Sequence, residues 1–158
     1  MRIGIGSDLN GRGYRDELIS FVQTLGHEAI EIPLLEDEDY PDVAITLGNR
    51  INEGMYDRGI LICGTGIGMA IAANKVPGIR AANVTDVYSA ERAELSNHAQ
   101  IITFGQQVLG LSLVKELVRI NLENNFIDGR STSKIERITY YEKSFQNEKT
   151  GGNELWKN

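Results

Sequence analysis

Residues 59–75, GILICGTGIGMAIAANK, decide how the rest of the chain is read. The run up to Cys63 is almost wholly apolar, as in a strand covered on both faces. Gly64, Gly66 and Gly68 follow, and the apolar spacing then changes to that of a helix. Strand, glycine turn and helix in quick succession are the opening of a βαβ unit. Four more short apolar runs fit strands: Arg2–Ser7, Glu28–Pro33, Ile79–Val84 and Ala99–Phe104. Helical spacing falls between and after them, over Tyr14–Leu25, Pro41–Glu53, Gly68–Lys75, Tyr88–Ser96 and Leu111–Glu123. The alternation predicts an α/β fold, a five-stranded parallel sheet with helices on both faces. A further helix is expected from Thr132 to about Phe145, capped by Ser131 or Thr132, with Ile135, Ile138 and Tyr141 on one side. Residues 1–145 thus read as one domain and residues 146–158 as a polar tail. Trp156 is the exception in that tail, and the alternatives are a loose end or an anchor on a neighbouring surface.

Composition sets limits on function. The 158 residues are 41% hydrophobic and 24% charged, as in ordinary soluble domains. A net charge of −6 argues against nucleic-acid partners but not against a small anion held by a few placed cations. The single cysteine allows no internal disulfide, which fits a reducing compartment. The chain enters a strand pattern at once, without a signal-like run, and no stretch approaches the roughly 20 apolar residues of a membrane helix. A cytoplasmic protein with no membrane partner is expected.

In parallel α/β sheets ligands bind beyond the carboxyl ends of the strands. Three such ends carry polar or reactive groups: Ser7–Asp8, Cys63–Thr65 and Thr85–Asp86. The turn CGTGIG is a weak nucleotide signature, being neither G-x-G-x-x-G nor a P-loop, and no suitably placed acid follows on a second strand. Its amides would instead suit an oxyanion such as an enediolate. A thiol at the mouth of that nest gains thiolate character from the helix N-terminus. Taken alone, however, a cysteine ending an apolar strand is more often inert core, and Asp8 reads equally well as a turn carboxylate. His27 and His98 both fall in helix-to-strand turns, no spacing suggests a metal site, and no nucleophile elbow is present.

The motifs together change that balance. GSD (Gly6–Asp8), DYPDVA (Asp39–Ala44), Gly59–Ala82, YSAERAELSN (Tyr88–Asn97), ITFG (Ile102–Gly105) and DGRSTSKIERI (Asp128–Ile138) closely resemble the ribose-5-phosphate isomerase B and galactose-6-phosphate isomerase family. The resemblance runs from Met1 to Ile138 in order. It implies a Rossmann-like three-layer sandwich with a C-terminal helix. It also implies cofactor-free, metal-independent aldose–ketose isomerisation of a phosphorylated sugar, and a homodimer or dimer of dimers with sites at the subunit interface.

Residue by residue, Cys63 matches the general base and acid that moves the proton, and Gly64, Gly66, Ile67 and Gly68 match the anion hole. Asp8 matches a group bonding the substrate hydroxyls or ring oxygen, and Thr65 a partner in ring opening. Tyr40, Asn97 and His98 fall among substrate-binding positions, and Arg130 and Lys134 on the phosphate site of a neighbouring subunit.

Three positions depart from the ribose-5-phosphate pattern. Leu9 and Ser96 stand where histidines are usual, and Gln107 where a phosphate-site arginine is usual. A tetrose 4-phosphate cannot close a furanose, because its 4-oxygen is esterified, so an enzyme for it needs no ring-opening histidine. Residues 88–105 also resemble the tetrulose-phosphate isomerases of the family. Erythrulose 4-phosphate is therefore the expected substrate, with ribose 5-phosphate open should His98 swing into the vacated space. The alternatives are a galactose-6-phosphate isomerase subunit or a non-catalytic sugar-phosphate sensor.

Overall fold

A computed structural model describes residues 1–150, with side chains through Asn147, so Trp156 and its alternatives lie outside the described residues. The chain forms two compact units, Met1–Phe126 and a second beginning at Ile127. The first alternates β1 (Arg2–Ser7), α1 (Arg12–Thr24), β2 (Glu28–Ile32), α2 (Tyr40–Asn52) and β3 (Arg58–Cys63). It continues with α3 (Ile67–Ala73), β4 (Ala81–Asn83), α4 (Val87–Leu95), β5 (Ile101–Gly105) and α5 (Leu111–Glu123). The second unit carries α6 (Thr132–Thr150).

All five strands are parallel, in the order β2-β1-β3-β5-β4. The connection reverses direction between β1 and β3, so the sheet opens a crevice at their carboxyl ends. Asp8 and Cys63 flank that crevice because each immediately follows or ends one of these two strands.

Side-chain alternation assigns the strands to two cores. Ile3, Ile5, Ile60, Ile62, Ile102 and Phe104 pack with Leu18 and Val22 of α1, Ala90 and Ala93 of α4, and Val114, Leu117 and Val118 of α5. Leu61, Cys63 and Ile101 point the other way, onto Val43, Ala44 and Leu47 of α2 and Met69 and Ala73 of α3. In the buried part of that second face β1 presents Gly4 and Gly6. A Cβ on Gly4 would lie 2.5 Å from Leu47 Cδ1, and one on Gly6 2.5 Å from Val43 Cγ1. The glycines let α2 rest directly on the strand backbone.

Two boundaries are tighter than the sequence pattern predicts. Strand β5 starts at Ile101 rather than Ala99, because the Ala99 amide donates to Ala93 O and closes the end of α4. The edge strand β4 is only Ala81–Asn83, since the Arg80 amide is taken by the Gln100 side chain and the Ile79 amide turns back to Val76 O. Helix α6 starts at Thr132 as expected and runs on to Thr150. Thr132 Oγ1 accepts from the Gly129 amide at 2.8 Å, bracing the preceding turn. No described helix is long and apolar enough to cross a membrane.

Candidate active site

An open pocket of about 380 Å³ occupies the crevice. Asp8 lines it from the β1–α1 loop, Tyr40 from the start of α2, Cys63, Gly64 and Thr65 from the end of β3, and Ile67, Gly68 and Ile71 from α3. Seven of these were legible from sequence, and Ile71 was not. Its signal is its spacing from Ile67 and Gly68, one turn along the same helical face.

Cys63 is 6% exposed and its Sγ accepts a hydrogen bond from the Gly66 amide at 3.1 Å. The turn that delivers this amide needs Gly66, whose φ of 81° is left-handed. Thr103 Oγ1, buried in β5, donates to Gly66 O at 2.8 Å and fixes the turn from below. From the other side, the amides of Gln106 and Gln107 donate to Cys63 O and Gly64 O, each at 3.0 Å. Thr103 and this clip from the β5–α5 loop were not singled out from sequence. A lone hydroxyl in an otherwise apolar buried strand was the available sign.

A Cβ at Gly66 would collide with Asn83 Oδ1 and lie 2.7 Å from the Phe104 carbonyl carbon. Gly66→Ala is therefore expected to cost more than the roughly 1–2 kcal/mol of left-handed strain alone. Urea denaturation checks this, and an unchanged midpoint would contradict it.

Asp8 is also buried. Its Oδ1 accepts from the Gly11 amide at 2.8 Å, while Oδ2 has only Asn10 Nδ2 at 3.3 Å. One carboxylate oxygen is thus tied to its loop and the other is the better placed to meet a ligand. Tyr40 is fixed by a capping box between Asp39 and Asp42 and by Pro41 in the first turn of α2. Its ring lies over Gly68, where a Cβ would come within 2.8 Å of Tyr40 Cε2. Thr65 Oγ1 accepts from the Ile67 amide at 3.3 Å. The Gln107 carboxamide lies beside Gly64, 3.4 Å from where a Cβ there would be, and Leu9 is exposed next to Asp8.

Ser96, Asn97 and His98 are not part of this pocket. They precede β5, at the amino ends of the strands, whereas Cys63 pairs with Gly105 at the carboxyl ends. His98 takes a φ of 45° and stacks on Phe126, with centroids 4.9 Å apart and rings 2° from parallel. Arg130 and Lys134 belong to the second unit, at the turn before α6 and in its first turn, and both are exposed. Among the described residues no cluster of three or more His, Cys, Asp or Glu side chains is assembled.

The family model described as Ribose/Galactose Isomerase matches residues 3–138. The chain belongs to this family. Among curated relatives, a D-erythrulose-4-phosphate isomerase of Pectobacterium atrosepticum is 45% identical over 90% of this chain and 95% of its own length. A ribose-5-P isomerase B of Listeria innocua is also 45% identical, over 86% of this chain and 93% of its own. Among solved structures, ribose-5-phosphate isomerase B of Clostridium thermocellum superposes with a TM-score of 0.87 at 41% identity, covering 92% of this chain and 99% of that one. The Rossmann-like fold and the aldose–ketose isomerase class expected from the sequence both stand, and the chain is a sugar-phosphate isomerase of the ribose-5-phosphate isomerase B type.

Proposed function

We propose that the enzyme interconverts D-erythrulose 4-phosphate and D-erythrose 4-phosphate, through residues 1–145, in the cytoplasm. The observation carrying the chemistry is the thiol of Cys63, buried, hydrogen-bonded to the Gly66 amide and open to a pocket shared with Asp8. The thiolate removes the proton from the carbon next to the carbonyl. The electron pair moves into an enediolate, and the thiol returns the proton to the neighbouring carbon. Charge on the enediolate oxygens is met by the amides of the Gly64–Gly68 turn. Asp8 holds substrate hydroxyls through its freer oxygen, and Thr65 and Tyr40 shape the walls.

The four-carbon preference rests on Leu9 and Ser96, neither of which can protonate a ring oxygen at neutral pH. The 45% identity to a D-erythrulose-4-phosphate isomerase supports it. A second copy of the chain completes the site in this reading, bringing Ser96, Asn97 and His98 together with Arg130 and Lys134 for the phosphate. The exposed apolar residues Leu9, Ile67 and Ile71 around the pocket suit such a cover.

The deciding experiment compares kcat/KM of the purified protein for D-erythrulose 4-phosphate and ribose 5-phosphate. The four-carbon sugar is expected to be turned over faster. Faster ribose 5-phosphate turnover overturns the preference while leaving the isomerase assignment in place.

A further inference from the structure

The turn that follows Cys63 rests directly on the end of β5. A Cβ on Gly105 would lie 2.5 Å from both Cα and the carbonyl carbon of Thr65, and one on Gly66 2.7 Å from the Phe104 carbonyl carbon. Beneath this contact stands Thr103, the one polar side chain of β5 and fully buried. Its hydroxyl lies 2.8 Å from Gly66 O and 3.2 Å from Asn83 Oδ1. A hydroxyl has one hydrogen to give, and the shorter contact takes it. The Asn83 carboxamide, at the end of β4, confines the side chain from the other side.

That carbonyl is joined to the site. Gly66 O and the Ile67 N–H are the two ends of one peptide unit, and in a trans peptide they point in opposite directions. With the oxygen drawn down to Thr103, the Ile67 amide is aimed up at the pocket wall, where Thr65 Oγ1 accepts from it at 3.3 Å. So long a bond yields to an anionic oxygen, which is the stronger acceptor. On its other side Gly66 gives its own amide to Cys63 Sγ at 3.1 Å. Gly66 has no side chain to limit its rotation, so both peptide planes depend on ties from outside the turn. The Ala70 amide supplies one, at 3.1 Å to the same carbonyl, and Thr103 supplies the tie to the sheet.

We propose that Thr103, which never reaches the pocket, is a positioning residue for the isomerisation: by holding Gly66 O it aims the Ile67 amide at the developing enediolate oxygen and keeps the Gly66 amide on the Cys63 sulfur. This rests on the enediolate reading of the turn given above. The test measures kcat and KM for D-erythrulose 4-phosphate and ribose 5-phosphate in wild type, Thr103→Val, Thr103→Ser and Asn121→Ala. It adds the Kd of 3-phosphoglycerohydroxamate, a stable planar mimic of the four-carbon enediolate, by calorimetry. In Thr103→Val, kcat is expected to fall roughly tenfold or more and the hydroxamate Kd to rise comparably, with KM within about threefold, because the bonds tighten only as charge develops. Thr103→Ser restores the hydroxyl and stays within about threefold of wild type in each. Asn121→Ala removes a different buried hydrogen bond, to Ala90 O, beside the Arg58 that opens β3 at the far end of the sheet. It keeps wild-type kcat, which separates loss of aim from general loss of stability. A Thr103→Val kcat within about twofold of wild type overturns the proposal, as does Thr103→Ser or Asn121→Ala as slow as Thr103→Val. If wild type turns over ribose 5-phosphate but binds no hydroxamate at millimolar concentration, only the four-carbon reading falls, and kcat on ribose 5-phosphate decides the role of Thr103. If it binds the hydroxamate but turns over neither sugar, the substrate reading falls and the Kd comparison decides.

Discussion

Cys63→Ala is expected to lower kcat by roughly 10²–10⁴ with the fold intact. The side chain is small and almost fully buried beside Val43, Leu61 and Met69, so alanine keeps the Cβ packing and loses only the sulfur. What disappears with the sulfur is the group that accepts the Gly66 amide at 3.1 Å and faces the open pocket. Cys63→Ser sharpens the result. A hydroxyl still accepts from Gly66 but is far harder to ionise, so turnover should stay low although the turn is preserved. Turnover by Cys63→Ala equal to wild type would remove the thiol from proton transfer and leave Asp8 as the base to examine.

Arg58→Ala should cost about 3–5 kcal/mol of stability, the penalty for leaving a buried charge unpaired. Arg58 opens β3, and its Nη2 lies 3.2 Å from Oε1 of Glu94, which is 2% exposed. The guanidinium also donates to Asn121 O and Asn124 O, each at 2.8 Å, and to Asn125 Oδ1 at 3.0 Å. Burial pulls the Arg58 pKa down, while Glu94 and Asp57 push it back up. Without the arginine, Glu94 keeps only the Phe126 amide on Oε1, and Oε2 has no partner at all. Urea denaturation measures the loss. The double variant Arg58→Met with Glu94→Leu should recover most of it, because the isolated charge is then gone. A loss below about 1 kcal/mol in Arg58→Ala would show that water reaches Glu94 and that the pair is effectively solvated.

The alternation of apolar runs made the sheet and its helices legible because a parallel sheet buries each strand on both faces. Local signals also placed the Cys63 turn and Asp8 together, since both follow strands that neighbour one another. Ser96, Asn97 and His98 were a different matter. The family resemblance implies a place for them in the site, but the turn they occupy precedes β5, at the far end of the sheet from Cys63. Motif membership carries no information about where in the fold a residue falls. The backbone clip from Gln106 and Gln107 leaves no mark on side-chain pattern, whereas Thr103 shows there only as a lone hydroxyl in an apolar strand. Arg58 and Glu94 look like surface charges in sequence, and only the fold reveals that they are interior partners.

The bare glycine face of β1 has a consequence for anyone wishing to redesign the pocket. Helix α2 lies flush on Gly4 and Gly6, and its first residue, Tyr40, closes one side of the pocket against Gly68. The Tyr40 side of the pocket is thus set from below, by how closely α2 approaches the β1 backbone. Trimming Tyr40 removes a wall directly, whereas a methyl at Gly6 must displace Val43 Cγ1, 2.5 Å away, and so presses on the helix that carries that wall.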